Sequence, residues 1–253
     1  MKKILMLAKS FEGYGAEMMQ MRVGSYLATS GNEVMFCSFF EEQANSMIAD
    51  KSQRKALLSK SCRNQLIRQV QIFLVCPWKL YRLHQELKFD CVITFKENPL
   101  CVALPVKLFT QFKLIHSERD NPYNRDTLAS KIKMWLYRFA DVIVVQTEGA
   151  RAFFGNKVRR KSVLIPNFVS MPKAQWSCAN ARKTFVSAGR LDIRYKRQDI
   201  LIKAFSRISE KYPDWEVVLY GDGHDRGILE KLAIDLNVYD KILFKGKTSN
   251  VPE

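Results

Sequence analysis

The chain has 253 residues, 47% of them apolar, and a formal net charge of +16. That length suits one large or two modest domains, with enough apolar material for substantial cores. Its longest uninterrupted apolar runs, such as residues 4–8 and 72–76, are five residues each, against the roughly 20 that a spanning helix needs. Lys2 and Lys3 mimic the start of a signal peptide, but the run behind them is too short for one, so the expected location is cytoplasmic. The six cysteines (Cys37, Cys62, Cys76, Cys91, Cys101 and Cys178) form no C-x-x-C pair, and there are three histidines. This argues against a zinc site and for reduced thiols, most of them buried.

In chain order, residues 3–7 read as a buried strand and 16–29 as a helix with Met18, Met19, Val23, Tyr26 and Leu27 on one side. Gly31-Asn32 turns into a second strand at 33–39, and further strands are expected at 91–95, 113–116, 142–146 and 162–165, with helices between them. Residues 52–87 break this rhythm with helical spacing, and Pro77 is expected to divide them into two helices. Residues 51–88 hold nine Lys/Arg and a single acid, Glu86. The pattern lapses at 169–182, as in a linker, and restarts with a strand at 184–188, a helix at 197–211, a strand at 216–220, a helix at 225–236 and a strand at 241–244. The expected fold class is α/β, with a doubly wound parallel sheet in residues 1–168 and a second, incomplete one in 183–253.

Three segments carry chemistry. Gly13-Tyr14-Gly15-Ala16-Glu17 joins the first strand to the first helix, where glycines permit a sharp turn and helix N–H groups face an anion. An ordinary tight turn explains it equally well, and the third glycine of a dinucleotide fingerprint is missing. In the second unit a strand runs into Gly189-Arg190-Leu191, and Lys196 precedes the next helix, which places cations where a diphosphate could rest against a helix N-terminus. Gly221-Asp222-Gly223 follows the next strand, with either a tight turn or ligand contact as its purpose.

Here the sequence resembles the family-4 glycosyltransferases, whose carboxyl domain opens G-R-L…K…xLIxAF and continues with G-D-G. The resemblance extends to Gly13–Glu17, matching a first-loop GGAE element with Tyr14 in place of one glycine. It also covers Ile165-Pro166-Asn167 and the loop Leu114-Ile115-His116-Ser117-Glu118-Arg119-Asp120-Asn121-Pro122, similar to a SERN-P element of polysaccharide-assembly members. It implies the GT-B fold and transfer of a sugar from a nucleotide-diphosphate sugar with retention of configuration. Donor contacts would fall on Gly13, Gly15, Gly189, Arg190, Lys196, Gly221 and Gly223, and the leaving diphosphate would be stabilised by Arg190 and Lys196. Lys196 lies one residue further from Arg190 than in many relatives, so Arg194 competes with it, and a solvent-facing ion pair competes for Arg190. His116 would touch the transferred sugar or orient the acceptor, against a plain structural role. Glu118 and Arg119 would shape the acceptor side, against simple loop charges. Asn167 would contact the cleft or cap the linker turn. No metal is expected, because no D-x-D triplet is present.

The family's later E-x(7)-E element and returning C-terminal helix have no counterpart in these residues. A C-terminally truncated product is therefore expected, and a fragment that binds ligand or partner without turnover is the alternative. The basic, partly apolar stretch at 51–88 fits an interfacial surface for anionic lipid, with Phe73, Trp78 and Tyr81 entering the headgroups, beside a lipid-linked glycan acceptor on the inner face of the plasma membrane. A helix pair covering the sheet fits it too. Nucleic acid is not expected, since no helix-turn-helix, zinc finger or RNP-like motif accompanies the high pI.

Overall fold

The computed structural model describes residues 1–11, 15–41, 53–124, 127–168 and 181–248. The chain forms two units, Met1–Phe168 and Val169–Glu253.

The first unit holds β1 (Lys3–Ala8), β2 (Glu33–Phe40), β3 (Arg54–Leu58), β4 (Cys91–Phe95), β5 (Lys113–Ser117), β6 (Val142–Val145) and β7 (Ser162–Leu164). All pairs are parallel, in the order β3-β2-β1-β4-β5-β6-β7. Connections leave β1 and β4 toward opposite edges, so their carboxyl ends flank the crevice where open α/β sheets take ligands.

Period-two alternation sorts the strand residues between two layers. Ile4, Met6 and Ala8 of β1 face helix α1 (Gly15–Thr29) and its Met21. Leu5 and Leu7 face the other layer, with Leu80 and Leu83 of α3 (Cys76–Leu87) and Leu100, Ala103 and Val106 of α4 (Glu97–Lys107). Gly24 lets α1 lie close, because a side-chain carbon there would stand 2.6 Å from the Phe36 ring and 3.1 Å from Met6. Gly24→Val should therefore cost about 1–3 kcal/mol through overpacking, read as a lower urea midpoint with an unchanged slope.

Residues 53–88 depart from the purely helical expectation. Arg54–Leu58 is strand β3, paired with β2 from Phe36↔Arg54 to Phe40↔Leu58. Its composition suits a helix, but the open edge of β2 supplies backbone partners, and sheet context overrides propensity. Nor does Pro77 divide the helical stretch beyond β3. Helix α2 (Gln65–Val70) passes through one π-helical turn, Gln71–Val75, into α3. The widened turn, closed by the Cys76 N–H on the Gln71 carbonyl, absorbs a proline that lacks an N–H and crowds the preceding turn. Phe73 packs against the core, while Trp78 and Tyr81 are exposed.

The described cysteines are free thiols. Burial pushes Cys76 up to about 12 and Cys91 up to about 11, so both behave as small hydrophobes. Cys178 lies outside the described residues.

Among the described residues the first unit also holds α5 (Leu128–Leu136), α6 (Glu148–Phe153) and α7 (Asn156–Arg159). The second unit holds β8 (Thr184–Ala188), α8 (Ile193–Lys196), α9 (Gln198–Ser206), β9 (Glu216–Tyr220), α10 (Arg226–Asp235) and β10 (Ile242–Gly246). Among the described residues its sheet is parallel, ordered β10-β9-β8. Val217 and Leu219 pack on Ile202 and Phe205 of α9 and on Leu229 and Ala233 of α10. No helix among the described residues is long and apolar enough to cross a membrane.

Candidate functional site

The loops leaving β8 and β9 are joined backbone to backbone. Gly189 N–H donates to the Tyr220 carbonyl at 2.9 Å, and Leu191 N–H to that of Asp222 at 3.1 Å. Asp225 returns the connection, its Oδ2 accepting the Ile193 N–H at 2.7 Å. Such contact demands glycine. A side-chain carbon on Gly221 would lie 1.9 Å from the Gly189 carbonyl oxygen, and one on Gly223 would lie 2.1 Å from that of Leu191. Gly221 also holds φ +131°, a region L side chains avoid. Both glycines thus have a packing reason to be there, without any ligand.

Asp192 caps the single turn α8, its Oδ1 accepting the Tyr195 N–H at 3.3 Å. The turn ends at Arg197, which is left-handed with φ 53°. One helical turn brings Lys196 back over the loop, so a side-chain carbon on Gly189 would meet the Lys196 Cε at 3.6 Å. The Arg190 guanidinium is half exposed, with Nη2 3.1 Å from Oδ2 of the buried Asp192. Gly189, Arg190 and Lys196 are therefore gathered at the carboxyl ends of β8 and β9. Arg194 lies over the Tyr195 ring instead, at 5.5 Å.

Gln198, which no sequence motif singles out, completes this loop. Its buried amide donates to the Arg190 carbonyl at 2.9 Å, fixing the residue whose side chain faces outward. Its only sequence signal is a polar residue where a helix begins. Asp192, His224 and Asp225 place their ligand atoms within 4.8 Å of one another. The two carboxylates are already committed, to Arg190 and the Tyr195 N–H and to the Ile193 N–H.

In the first unit, His116 has no exposed surface. Its Nδ1 meets the Thr94 hydroxyl at 3.0 Å and its ring packs on Tyr137 with centroids 4.4 Å apart. Burial pushes its pKa down to about 3, so the imidazole is neutral. Glu118 is also buried, accepting from the Tyr137 hydroxyl at 2.7 Å and from the Asp120 N–H at 2.9 Å. Burial raises its pKa, opposed by the Tyr137 hydrogen bond. Both residues expected to meet substrate are thus placed inside the unit, where Tyr137 joins them and supports the β5 loop from beneath.

The surface belongs to their neighbours. Arg119 lies 4.3 Å above the Phe95 ring and donates to Asn167, tying the β5 loop to the segment after β7. That loop and the start of α6 border a cleft of about 420 Å³ whose lining includes Glu118, Arg119, Asp120, Asn121, Tyr123, Gln146 and Thr147. Polar groups of Asp120, Asn121, Gln146 and Thr147 stand there beside the exposed Tyr123 ring and largely apolar walls, the mixture common to ligand clefts.

Gly13 lies outside the described residues, and Gly15 is the exposed first residue of α1. At the crevice between β1 and β4, Glu17 of α1 holds the Lys96 ammonium at 2.8 Å. Lys96 carries φ 69° and ψ 163°, a glycine-type conformation that costs another residue roughly 1–3 kcal/mol and persists only where the surrounding structure over-determines the backbone. Gln20, fully buried, donates to the Leu7 and Ile93 carbonyls at 3.0 and 3.2 Å across the same strand pair. No pattern in the sequence marks Lys96, whose distinction is purely conformational.

Residues 173–253 match the family described as Glycosyl transferases group 1. An uncharacterised glycosyltransferase of Methanocaldococcus jannaschii is 28% identical over 245 residues, 86% of this chain and 59% of its own length. A Campylobacter jejuni enzyme named N-acetylgalactosamine-N,N'-diacetylbacillosaminyl-diphospho-undecaprenol 4-alpha-N-acetylgalactosaminyltransferase is 26% identical over 208 residues, 76% of this chain and 55% of its own. The chain thus spans less than two thirds of these relatives. Among solved structures, Anabaena HepE in complex with UDP-glucose superposes with a TM-score of 0.77 at 16% identity, over 98% of this chain and 70% of that one. The fold is that of the GT-B glycosyltransferases.

Proposed function

We propose that this chain, a GT-B fold carrying a glycosyl transferases group 1 segment, transfers a sugar from a nucleotide-diphosphate sugar to a lipid-linked glycan acceptor with retention of configuration. The setting is cell-surface polysaccharide assembly at the inner face of the plasma membrane. The observation that carries this reading is the cationic cradle of Gly189, Arg190 and Lys196, held rigidly at the carboxyl ends of two parallel strands. Support comes from HepE, whose structure holds UDP-glucose, and from the Campylobacter relative, whose name specifies a diphospho-undecaprenol acceptor.

The reaction breaks the bond between the anomeric carbon and the diphosphate oxygen and forms one to an acceptor hydroxyl oxygen, whose proton leaves with the released diphosphate. Negative charge grows on the departing diphosphate, where fixed cations stabilise the transition state more than the ground state. Arg190, steered by Asp192 and by Gln198 beneath its carbonyl, supplies two donors, and Lys196 supplies a point charge. These cations do the neutralising, so the proposal calls for no resident metal. Gly189 admits the diphosphate close to the backbone, with Gly221 and Gly223 supporting the loop. The cleft at Asp120–Tyr123 takes the acceptor sugar, and the exposed stripe of Leu66, Val70, Leu74, Trp78 and Tyr81, with Arg82 and Lys79 5.2 and 5.3 Å over Trp78, rests on anionic lipid.

Calorimetric titration with UDP and GDP tests the cradle. Arg190→Ala and Lys196→Ala should each weaken binding about 10–100-fold, the value of a lost charge-assisted contact, while Arg194→Ala leaves it unchanged. Loss at Arg194 in place of Lys196 would move the second cation there, and no binding of either nucleotide by the native chain would sink the reading. A separate transfer assay with a lipid-linked glycan distinguishes catalysis from binding alone.

A further inference from the structure

Glu118 keeps only 2% of its surface exposed, a costly place for a carboxylate. Its backbone is fixed by β6, where the Glu118 N–H donates to the Val144 carbonyl at 2.9 Å. Its side chain then joins two parts of the unit. Oε2 accepts from the Tyr137 hydroxyl at 2.7 Å, and Oε1 accepts from the Asp120 N–H at 2.9 Å. Tyr137 follows directly on α5 and has no exposed surface. Its ring packs on those of His116 and Phe154, with centroids 4.4 and 5.6 Å away, so its hydroxyl is offered from a fixed point of the core.

What the carboxylate reaches is the wall of the cleft. Asp120, Asn121 and Tyr123 all line it. The far end of this loop is secured again, by the Tyr123 N–H on Asn121 Oδ1 at 3.1 Å and by the Tyr123 ring 4.8 Å from that of Phe153. A neutral amide at position 118 would fill the same space and accept the same N–H at a smaller desolvation cost. What ionisation adds is strength, since a charge-assisted hydrogen bond is roughly twice as strong as a neutral one. Burial pushes the Glu118 pKa up. The Tyr137 hydroxyl and the Asp120 N–H pull it down, the Asp120 charge raises it, and the Arg119 N–H lowers it. Of its other neighbours, His116 is neutral and β6 carries no titratable side chain. The Tyr137 hydroxyl thus tethers the carboxylate and also favours its charged form.

We propose that Tyr137 is a positioning residue for this cleft: acting through Glu118, it holds the loop from Asp120 to Tyr123 in the shape that receives an acceptor sugar. The role in transfer rests on the reading of the cleft as the acceptor site. The clamp itself, a core hydroxyl that sets the cleft wall through a buried carboxylate, is tested without any sugar.

Amide hydrogen exchange of the full chain, followed by NMR between pH 4 and pH 8, reads the loop directly. Tyr137→Phe removes one oxygen and keeps the ring. At pH 7 it should lower protection of the Asp120 amide about tenfold, the scale of one hydrogen bond to a charged group, and lower that of the core amide Ile143 far less. Protonation weakens Glu118 as an acceptor, so native protection at Asp120 should fall as pH drops through the folded-state pKa. In Tyr137→Phe the fall should begin at higher pH, because the carboxylate has lost a donor. Glu118→Gln, whose amide oxygen still accepts, should keep near-native protection at pH 7 and lack that step. Asp120 protection that falls only in step with Ile143 overturns the proposal, as do coincident pH profiles in the native and Glu118→Gln chains. In a transfer assay Tyr137→Phe should raise the acceptor KM about tenfold, with kcat and UDP affinity within about twofold of native; a loss carried by kcat alone overturns the positioning role. Absence of transfer by the native chain would sink the sugar-transfer reading, and the exchange profiles would still decide the clamp.

Discussion

Gly223→Val is expected to destabilise the second unit by about 2–4 kcal/mol and to abolish the nucleotide binding proposed for it. The added side-chain carbon would lie 2.1 Å from the Leu191 carbonyl oxygen, 2.8 Å from its carbon and 2.9 Å from its nitrogen. All three are backbone atoms, so no rotamer change can relieve the clash. The loop must move, which breaks the 3.1 Å bond from Leu191 N–H to the Asp222 carbonyl and carries Arg190 away from its place over the strand ends. Gly221→Ala should be at least as damaging, because its carbon would sit 1.9 Å from the Gly189 oxygen and its φ of +131° adds backbone strain. Urea unfolding followed by Trp215 fluorescence in a chain whose other three tryptophans are replaced by Phe, with nucleotide titration on the same samples, checks both. Native stability in Gly223→Val would mean that the two loops are not in contact.

A second large effect concerns acid. His116 is fully buried and neutral, its pKa lowered from 6.5 to about 3. Between those values the unfolded chain binds a proton that the folded one refuses. This contribution is therefore fully present above pH 6.5 and is lost as pH falls toward 3. Its full range is on the order of 5 kcal/mol, with about 3 lost by pH 4. Glu118 acts in the opposite sense. Its raised pKa favours the folded state below the ordinary carboxylate range and costs stability as pH rises through the folded value. Comparing the native chain with His116→Gln separates the two. The variant should be less stable at pH 7, having lost its fit against Thr94 and Tyr137, and its stability should fall far less between pH 7 and pH 4. Parallel pH profiles for the two proteins would show that His116 is not the group that takes up the proton.

This histidine also marks the limit of what the site's local sequence can tell. The family resemblance places functional residues in the loop of His116 and Glu118, which favours a surface position for both. Their inward direction is set by strand register: the β5 residues opposite Thr94 and Phe95 are His116 and Ser117, and Tyr137, twenty-one positions after His116, supplies the buried partner of both His116 and Glu118. No local pattern specifies that partner. Arg190 and Lys196 are legible because their placement needs only a strand end, a capping aspartate and a single helical turn, all within eight residues.

Strand and helix order in both units can be read from the chain alone, because period-two and period-3.6 apolar patterns are local properties that the core then enforces. The loop that gathers cations at the carboxyl ends of β8 and β9 is local in the same way. Other features depend on the folded arrangement. Residues 54–58 became an edge strand because β2 offered partners that helix propensity could not outweigh. Packing also set Lys96 in a strained conformation against Glu17 and turned His116 and Glu118 inward. Each of these depends on which distant residue lies across a gap of a few ångströms, and distance in space is the quantity that a linear pattern does not carry.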